Sequence, residues 1–564
     1  MTKFFLTVFI SVLLFSCNTN SKDSTTSSGK ESNSQKEEKE KKVSKRDFTI
    51  TPANAYNSLF LDSSALVSYL SKNNVSDSVA RRMRSFYNAR NYQYAWFSAD
   101  GLTEQARGFW NMHNYQTTYG NDSSLKDKAL QKYMDFLIAE EDLNVTNTNK
   151  NIQDAEFKLT QHFILYSLNN IEDGYITRKE MERFIPRKKE DPMLLADSLL
   201  TKKHKNNKYY EDVNESYKLL KQQLANYYQV AKSGGWPTIS ASAKQLKKGV
   251  TSPAVLSIRK RLQATADIPA GDTSMLYDDA LVNGISSFQK RHGYTPTGII
   301  TDEQIKDMNV PAEKRVAQIL VNMGRMQWMI NEPKGQMIVV NIPEFILHVK
   351  DGKQKVFDMN VVVGKEGHNT MMFTGNLNQV VFSPYWNVPS SIVQKEIVPA
   401  MARNPNYLSN NNMEITGNDG ALPVVRQLPG PKNSLGKVKF LFPNSFNIYF
   451  HDTPSKSLFN KDKRAYSHGC IRLSDPVKMA NYILKDDGQW TPEAIDEAMN
   501  SGTEKFVNVK KTVPVLITYY TAWVDDDGLL HFADDIYGHD KTIMEKMFTG
   551  QPSSETIKSL AKQY

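Results

Sequence analysis

Near Gly335 the hydrophobic period changes, and this constrains the fold more than any other feature of the 564-residue chain. Before it, apolar residues recur at three- and four-residue spacing, as in Leu59–Leu70, Phe157–Leu168 and Tyr217–Val230, which predicts helices with one buried face. After it, Met337–Asn341, Phe345–Lys350 and Lys355–Val363 alternate and predict strands, with Asp351-Gly352 as the hairpin turn between two of them. The chain is too long for one core. The predicted class is multidomain α+β, with a helical N-terminal part, a small three-helix unit and a β-rich C-terminal part.

Composition narrows the class further. Hydrophobic residues make up 40% and charged residues 23%, which excludes a multi-span membrane protein. The net charge of +9 comes without a basic run interleaved with aromatics, so no nucleic-acid partner is expected. Residues 1–17 have signal-peptide proportions, and Leu14-Phe15-Ser16-Cys17 resembles a bacterial lipobox, which implies a lipidated Cys17 and a membrane anchor at the cell envelope, on the periplasmic side. Residues 18–46 are polar throughout and read as a tether spanning about 30 Å. Residues 47–245 read as a helical scaffold, in which the aromatic cluster Phe86, Tyr87, Tyr92, Tyr94, Trp96 and Phe97 is taken as core and not as a ligand surface.

The stretch 246–310 places Val255, Ile258 and Leu262 on one helix and Ala280, Ile285 and Phe288 on a second. With Phe288-Gln289-Lys290-Arg291-His292-Gly293 and Thr297-Gly298-Ile299, it resembles the small peptidoglycan-binding module of wall enzymes. Residues 311–540 read as the β-rich domain, continued by strands at Gln379–Phe382, Lys439–Phe442, Asn447–His451 and Val513–Trp523 and by helices at Ile392–Met401 and Pro476–Leu484. The Asn-, Gly- and Pro-rich segment 404–438 is too irregular for the sheet and is expected to be a lid-like insertion. Residues 541–564 read as a C-terminal helix.

Of the two cysteines, Cys470 carries the chemistry. It lies in Ser467-His468-Gly469-Cys470-Ile471-Arg472, ahead of the helix start Ser474-Asp475-Pro476, where spare backbone N–H groups and the helix dipole favour a thiolate or an oxyanion. A thiol near pKa 8.5 needs a base at neutral pH. His468 and His451 are the nearby candidates, and strand alternation puts Asn447, Tyr449 and His451 on one face with Ile448 and Phe450 in the core. A buried inert thiol is the plain alternative. Zinc held by His451, His468 and Cys470 lacks a fourth ligand and the usual ligand spacing, so no metal and no cofactor are expected.

The fifteen-residue gap between His451 and Ser467-His468-Gly469-Cys470, with Arg472 beyond, resembles the signature of YkuD-type L,D-transpeptidases. The resemblance extends to Val362-Val363-Gly364-Lys365, Phe382-Ser383-Pro384-Tyr385-Trp386-Asn387-Val388-Pro389, Gly436-Lys437-Val438-Lys439-Phe440 and His451-Asp452-Thr453-Pro454, and is nearest to the long periplasmic subclass with a scaffold and a wall-binding module. It implies Cys470 as nucleophile on a tetrapeptide stem, His451 as general base oriented by the Asp452 backbone carbonyl, and backbone N–H groups at Gly469 and Cys470 with the Tyr449 hydroxyl as oxyanion donors. Ser467, His468, Arg472 and Trp386 would shape the substrate site. The implied partners are peptidoglycan stem peptides, a tetrapeptide donor and an amine acceptor, and carbapenems as acylating inhibitors. Hydrolysis of the thioester, attachment of a protein amine, or a non-catalytic tether between membrane and wall are the other functions compatible with the sequence.

Overall fold

The computed structural model describes residues 42–119, 125–139, 143–170, 185–201, 215–328 and 335–550. The expected signal segment with Cys17, the tether up to residue 41 and residues 551–564 of the expected C-terminal helix lie outside them.

Helices form where the three- and four-residue spacing predicts them, at Ser63–Lys72, Asp77–Ala89, Glu104–Tyr119, Lys128–Ala139 and Lys150–Asn170. All six residues of the aromatic cluster are buried in their common core, where Trp96 meets Phe109, Phe163 and Trp328 at ring distances of 5.3, 5.4 and 6.3 Å. At Ala95-Trp96 the chain crosses this core outside any helix, so two backbone N–H groups need acceptors. The Glu156 carboxylate takes both, at 2.7 and 2.9 Å; burial pushes its pKa up to about 7. A ribbon of β1 (Phe97–Ser98) and β2 (Gly101–Leu102) follows, too short to show a period in sequence.

A second helical cluster joins Pro192–Leu200, Glu215–Lys232, Ala312–Met326 and His539–Met547. Ala312–Met326, expected to open the β-rich domain, instead buries Val316, Ile319, Leu320 and Met323 against Leu220 and Leu224 of Glu215–Lys232. The three-helix unit is Pro253–Ala264, Asp279–Arg291 and Asp302–Met308, each capped by a side chain, from Ser252, Asp278 and Thr301. Ile285 and Phe288 enter its core as expected, but Ala280 is exposed and Leu281 takes the inward position.

Beyond Gly335 the period of two becomes a sheet. Its strands are β3 (Gln336–Asn341), β4 (Ile346–Asp351), β5 (Gln354–Gly364), β6 (Phe373–Phe382), β10 (Val438–Leu441), β11 (Phe450–His451), β12 (Ala465–Ser467), β13 (Ile471–Leu473) and β14 (Lys505–Thr518). The order is β12-β5-β13-β11-β10-β6-β14-β3-β4, and β4 pairs with β5 as well, so the ladder closes on itself. Val361, Phe382, Phe440, Phe450 and Ile471, all fully buried, fill the interior. The turn between β4 and β5 centres on Gly352-Lys353, one residue later than expected, because Asp351 still pairs with Gln354 and Gly352 alone takes a positive φ, 58°. The expected strand Asn447–His451 shortens to Phe450–His451. Asn447 is left-handed, φ 53°, and the Asn444 side chain accepts from Phe446 N and Ile448 N, which rolls the segment into a loop. Val513–Trp523 is divided, its first part completing the long β14 and its last part beginning β15 (Ala522–Val524), which pairs with β16 (Leu530–Phe532). The helix Pro476–Leu484 forms at its expected bounds, capped by Asp475.

The insertion is larger than 404–438. It begins with β7 (Trp386–Asn387), continues through a helical run over 390–403 that is π-helical at Val393–Ile397, and ends in the hairpin β8 (Met413–Asp419) and β9 (Leu422–Gln427). The sheet order β7-β9-β8 and a separate core of Val388, Ile392, Val393, Ile397 and Val425 make it a subdomain. The helix expected at Ile392–Met401 belongs to it, and its Asn- and Gly-rich part conceals a hairpin turned at Gly420, φ 59°.

Candidate active site

β11 and β13 run parallel, with Phe450 opposite Ile471 and His451 opposite Arg472. One step back, Tyr449 O accepts from Ile471 N at 3.1 Å, so Tyr449 stands level with Cys470. Side chains alternate across strands. Phe450, Ile471 and Leu473 fill the barrel interior, and Tyr449, His451, Cys470 and Arg472 share the opposite face. Cys470 and His451 are diagonal neighbours on adjacent strands, roughly 7–8 Å apart at the backbone, a separation within reach of two side chains.

The ring of His451 is buried, and its Nδ1 lies 2.5 Å from the Asp452 carbonyl. A carbonyl only accepts, so Nδ1 carries the proton and Nε2 keeps its lone pair. Burial, then the Arg472 guanidinium, push its pKa down to about 3, so the imidazole is neutral. Asp452 itself is fixed: its carboxylate accepts from Lys437 N at 2.9 Å and from Lys456 Nζ at 2.7 Å. Gly436 φ is 61°, and a Cβ there would fall 2.3 Å from Asp452 Oδ2, which explains a glycine where the insertion rejoins the sheet.

Cys470 is half-buried, and its thiol donates to Asn447 O at 3.7 Å. The Tyr449 backbone N–H, the Tyr449 hydroxyl and Arg472 all face the sulfur and favour a thiolate, but burial outweighs them and pushes the pKa up to about 11. The resting pair is therefore neutral thiol and neutral imidazole, not the anionic sulfur the sequence suggested. That expectation counted on the dipole of the following helix. β13 stands between Cys470 and Pro476, and the dipole effect fades within a turn of the helix end.

The loop that carries Cys470 is held from both sides. Ser467 Oγ donates to Cys470 O at 2.6 Å and accepts from Gly469 N at 3.1 Å. Gly469 N–H, expected to serve the oxyanion, is thus already engaged; Cys470 N–H has no acceptor among the described residues. Gly469 adopts φ 110°, and its carbonyl accepts from Thr370 Oγ1 at 2.7 Å. Thr370 Oγ1 also accepts from Gly364 N at 2.9 Å, and Tyr537 Oη donates to Gly364 O at 2.7 Å. Thr370 and Tyr537 stand 100 and 67 positions from Cys470 in sequence and carry no local signal of this role.

His468 points away from the sulfur toward the insertion, where its Nε2 meets Glu396 Oε1 at 3.0 Å, with the His368 ring 4.7 Å away. This pair ties the Cys470 loop to the π-helical turn of the insertion. Trp386 pairs with Gln427 in the insertion sheet and packs on the core of that subdomain. Two buried polar atoms near the Cys470 loop have no partner among the described residues: Arg472 Nε and Asn369 Oδ1. The Asn369 backbone lies close to Gly469.

Comparison with known proteins agrees with this architecture. Residues 335–515 match the family described as the L,D-transpeptidase catalytic domain, YkuD, beginning where the hydrophobic period changes, and residues 81–224 match the Scaffold domain family. A Haemophilus influenzae protein named "Putative L,D-transpeptidase" is 32% identical over 222 residues, covering 36% of this chain and 45% of that protein. The chain thus spans less than half of that relative. Solved structures with a likeness include an L,D-transpeptidase from Mycobacterium smegmatis, 15% identical over 32% of this chain and 58% of that one with TM-score 0.19. Another is from Stackebrandtia nassauensis, 13% identical over 49% and 97% with TM-score 0.21. At these scores the structural likeness carries no argument. The sequence matches carry the likeness: residues 335–515 are similar to the L,D-transpeptidase catalytic domain family, and residues 81–224, which precede them, to the Scaffold domain family.

Proposed function

We propose that the protein is an L,D-transpeptidase that joins peptidoglycan stems by 3–3 cross-links through a thioester on Cys470. The observation that carries this reading is the parallel register that places His451 diagonally beside Cys470 on one face, with Nδ1 committed to the Asp452 carbonyl and Nε2 left as base. Cys470 Sγ attacks the carbonyl of the third stem residue of a tetrapeptide while His451 Nε2 takes the thiol proton. The oxyanion is met by Cys470 N–H and the Tyr449 hydroxyl, each donor worth about 3–4 kcal/mol when well placed. The imidazolium returns its proton to the nitrogen of the departing D-alanine, and the C–N bond breaks. An amine of a second stem then attacks the thioester, giving up its proton to His451, and the thiol is restored.

Arg472 Nε, buried and unpaired, suits a substrate carboxylate at the edge of this face, with Ser467 and His468 shaping the loop and Trp386 the insertion side. The enzyme works at the periplasmic side of the cell envelope, held to the membrane by lipid on Cys17, and carbapenems acylate Cys470. Incubation with disaccharide tetrapeptides yields dimers joined between third residues, and Cys470→Ala yields none. Tripeptide alone would identify water as the acceptor, and unchanged products from Cys470→Ala would refute the assignment. A carbapenem adds its mass to the wild type and not to that variant. Labelled fatty acid enters the wild type and not Cys17→Ser.

A further inference from the structure

The peptide unit that joins Gly469 to Cys470 carries a fixed carbonyl at one end and an open donor at the other. A peptide unit is rigid and planar, so whatever holds the Gly469 carbonyl also sets the direction of the Cys470 N–H. Thr370 Oγ1 donates to that carbonyl at 2.7 Å. The Cys470 N–H has no acceptor among the described residues.

Thr370 is buried in the turn between β5 and β6, and a closed set of hydrogen bonds fixes it there. Its Oγ1 accepts from Gly364 N at 2.9 Å, which leaves the single hydroxyl proton for the Gly469 carbonyl. Its backbone N–H donates to Tyr537 Oη at 3.2 Å, and the same hydroxyl of Tyr537 donates to Gly364 O at 2.7 Å. A Cβ at Gly364 would collide with His368 O and Thr370 N, so a glycine lets the turn lie directly on the end of β5.

Tyr537 is anchored in its turn by groups outside the barrel strands. Its backbone N–H donates to Tyr519 Oη at 2.9 Å, Tyr519 Oη donates to Asp535 Oδ1 at 2.7 Å, and the two tyrosine rings stack with centroids 5.5 Å apart. The Arg325 guanidinium lies over the Tyr519 ring at 5.3 Å and pairs with Glu104 at 2.7 Å and with Asp540. A buried ion cluster shared by the helices Glu104–Tyr119, Ala312–Met326 and His539–Met547 thus steadies the tyrosine pair, and the tyrosine pair steadies Thr370.

We propose that Thr370 and Tyr537 are positioning residues for oxyanion stabilisation: they turn the Gly469–Cys470 peptide so that the Cys470 N–H faces the carbonyl under attack. The inference rests on the acyl-transfer reading of Cys470. Thr370 acts from the far end of the peptide unit, and Tyr537 acts through Thr370. This role differs from support of the loop in one measurable way. Acyl transfer builds charge on a carbonyl oxygen and needs the aimed N–H, whereas alkylation of the sulfur builds no such charge and does not.

The test compares two reactions of one thiol in the full chain carrying Cys17→Ser: acylation by para-nitrophenyl acetate and alkylation by iodoacetamide, both read by mass on the peptide that contains Cys470. Thr370→Val and Tyr537→Phe are expected to lower the acylation rate by about tenfold or more and to leave the alkylation rate unchanged. Thr370→Ser, which keeps the hydroxyl, is expected to acylate as the parent does. Thr370→Val strips the Gly364 N–H of its acceptor; should that variant misfold, Tyr537→Phe and Thr370→Ser carry the comparison. Equal falls in both reactions would make the hydroxyls mere supports of the loop, and unchanged acylation would mean that they do not aim the N–H; either result overturns the proposal. A parent chain that the ester fails to acylate overturns it as well. Acylation that responds as expected, in a protein that forms no cross-linked dimer from stem tetrapeptides, refutes the transpeptidase reading alone.

Discussion

The neutral resting state of the Cys470–His451 pair has a direct kinetic consequence. An ion-paired cysteine is alkylated at a rate that levels off near pH 5–6, because its thiolate is already formed there. Here burial raises the Cys470 pKa from about 9 to about 11, so below pH 9 it holds on the order of 100-fold less thiolate than an ordinary thiol, and ionising it costs on the order of 3 kcal/mol more. The perturbation is pH itself, applied to Cys17→Ser so that Cys470 is the one reactive thiol, with iodoacetamide labelling followed by intact mass from pH 5 to 10. The rate is expected to rise about tenfold per pH unit across the whole range without a plateau. Acylation by a tetrapeptide should behave differently. It draws the proton onto His451 within the step, and with the His451 pKa near 3 the base is free throughout, so its rate should stay nearly flat between pH 5 and 9. An alkylation plateau below pH 7 would refute the reasoning, since it would mean a thiolate–imidazolium pair already formed at rest.

Three further outcomes follow from the same contacts. Ser467→Ala removes the acceptor of the buried Gly469 N–H, a loss of about 1–3 kcal/mol; acylation rate should fall by tenfold or more while the melting of the helical domain is unchanged. Gly436→Ala places a Cβ against the Asp452 carboxylate at a left-handed φ, a strain of about 1–3 kcal/mol, and should lower kcat through the displaced Asp452 carbonyl with little change in KM. His451 has its folded pKa depressed from 6.5 to about 3, so its contribution to stability is fully present above pH 6.5 and is lost as pH falls toward 3. Guanidinium unfolding from pH 7 to 4 should show this decline, and His451→Gln should show less of it.

The sequence revealed those parts of the site that depend on one strand or one short loop. Ile448 and Phe450 inward, Tyr449 and His451 outward, is a period-two statement that survives even though only Phe450–His451 is regular strand. The helix Pro476–Leu484 was legible because Asp475 and Pro476 are local start signals. What stayed hidden was non-local. The Thr370 hydroxyl on the Gly469 carbonyl, the Tyr537 hydroxyl on Gly364 and the Glu396 carboxylate on His468 depend on which strands become neighbours, and periodicity does not encode that. The engagement of the Gly469 N–H was hidden for a similar reason: a glycine before Cys470 has a spare donor only if no nearby hydroxyl takes it, and Ser467 Oγ does. The insertion was placed too late because its first helix, at 390–403, has ordinary helical spacing and gives no sign of packing on Val425 of the hairpin and not on the barrel.

The helical domain bears on the site through the same non-local logic. Asn111 of Glu104–Tyr119 donates to Met372 O at 2.9 Å, just past Thr370, which holds the Gly469 carbonyl. Ser445 donates to Asp135 of Lys128–Ala139 at 3.0 Å, and Phe446 packs on both the helical and the barrel cores. The next residue is Asn447, whose carbonyl receives the Cys470 thiol. Two loops that fix Cys470, one through its neighbouring carbonyl and one through its hydrogen-bond acceptor, are each anchored on a different helix of the N-terminal domain. A barrel alone would have to order both loops from its own short strands, and β11, with two residues, contributes little ladder to do so. The scaffold therefore supplies order to the site that the sheet lacks, which gives a physical reason for a helical domain to be packed against this barrel.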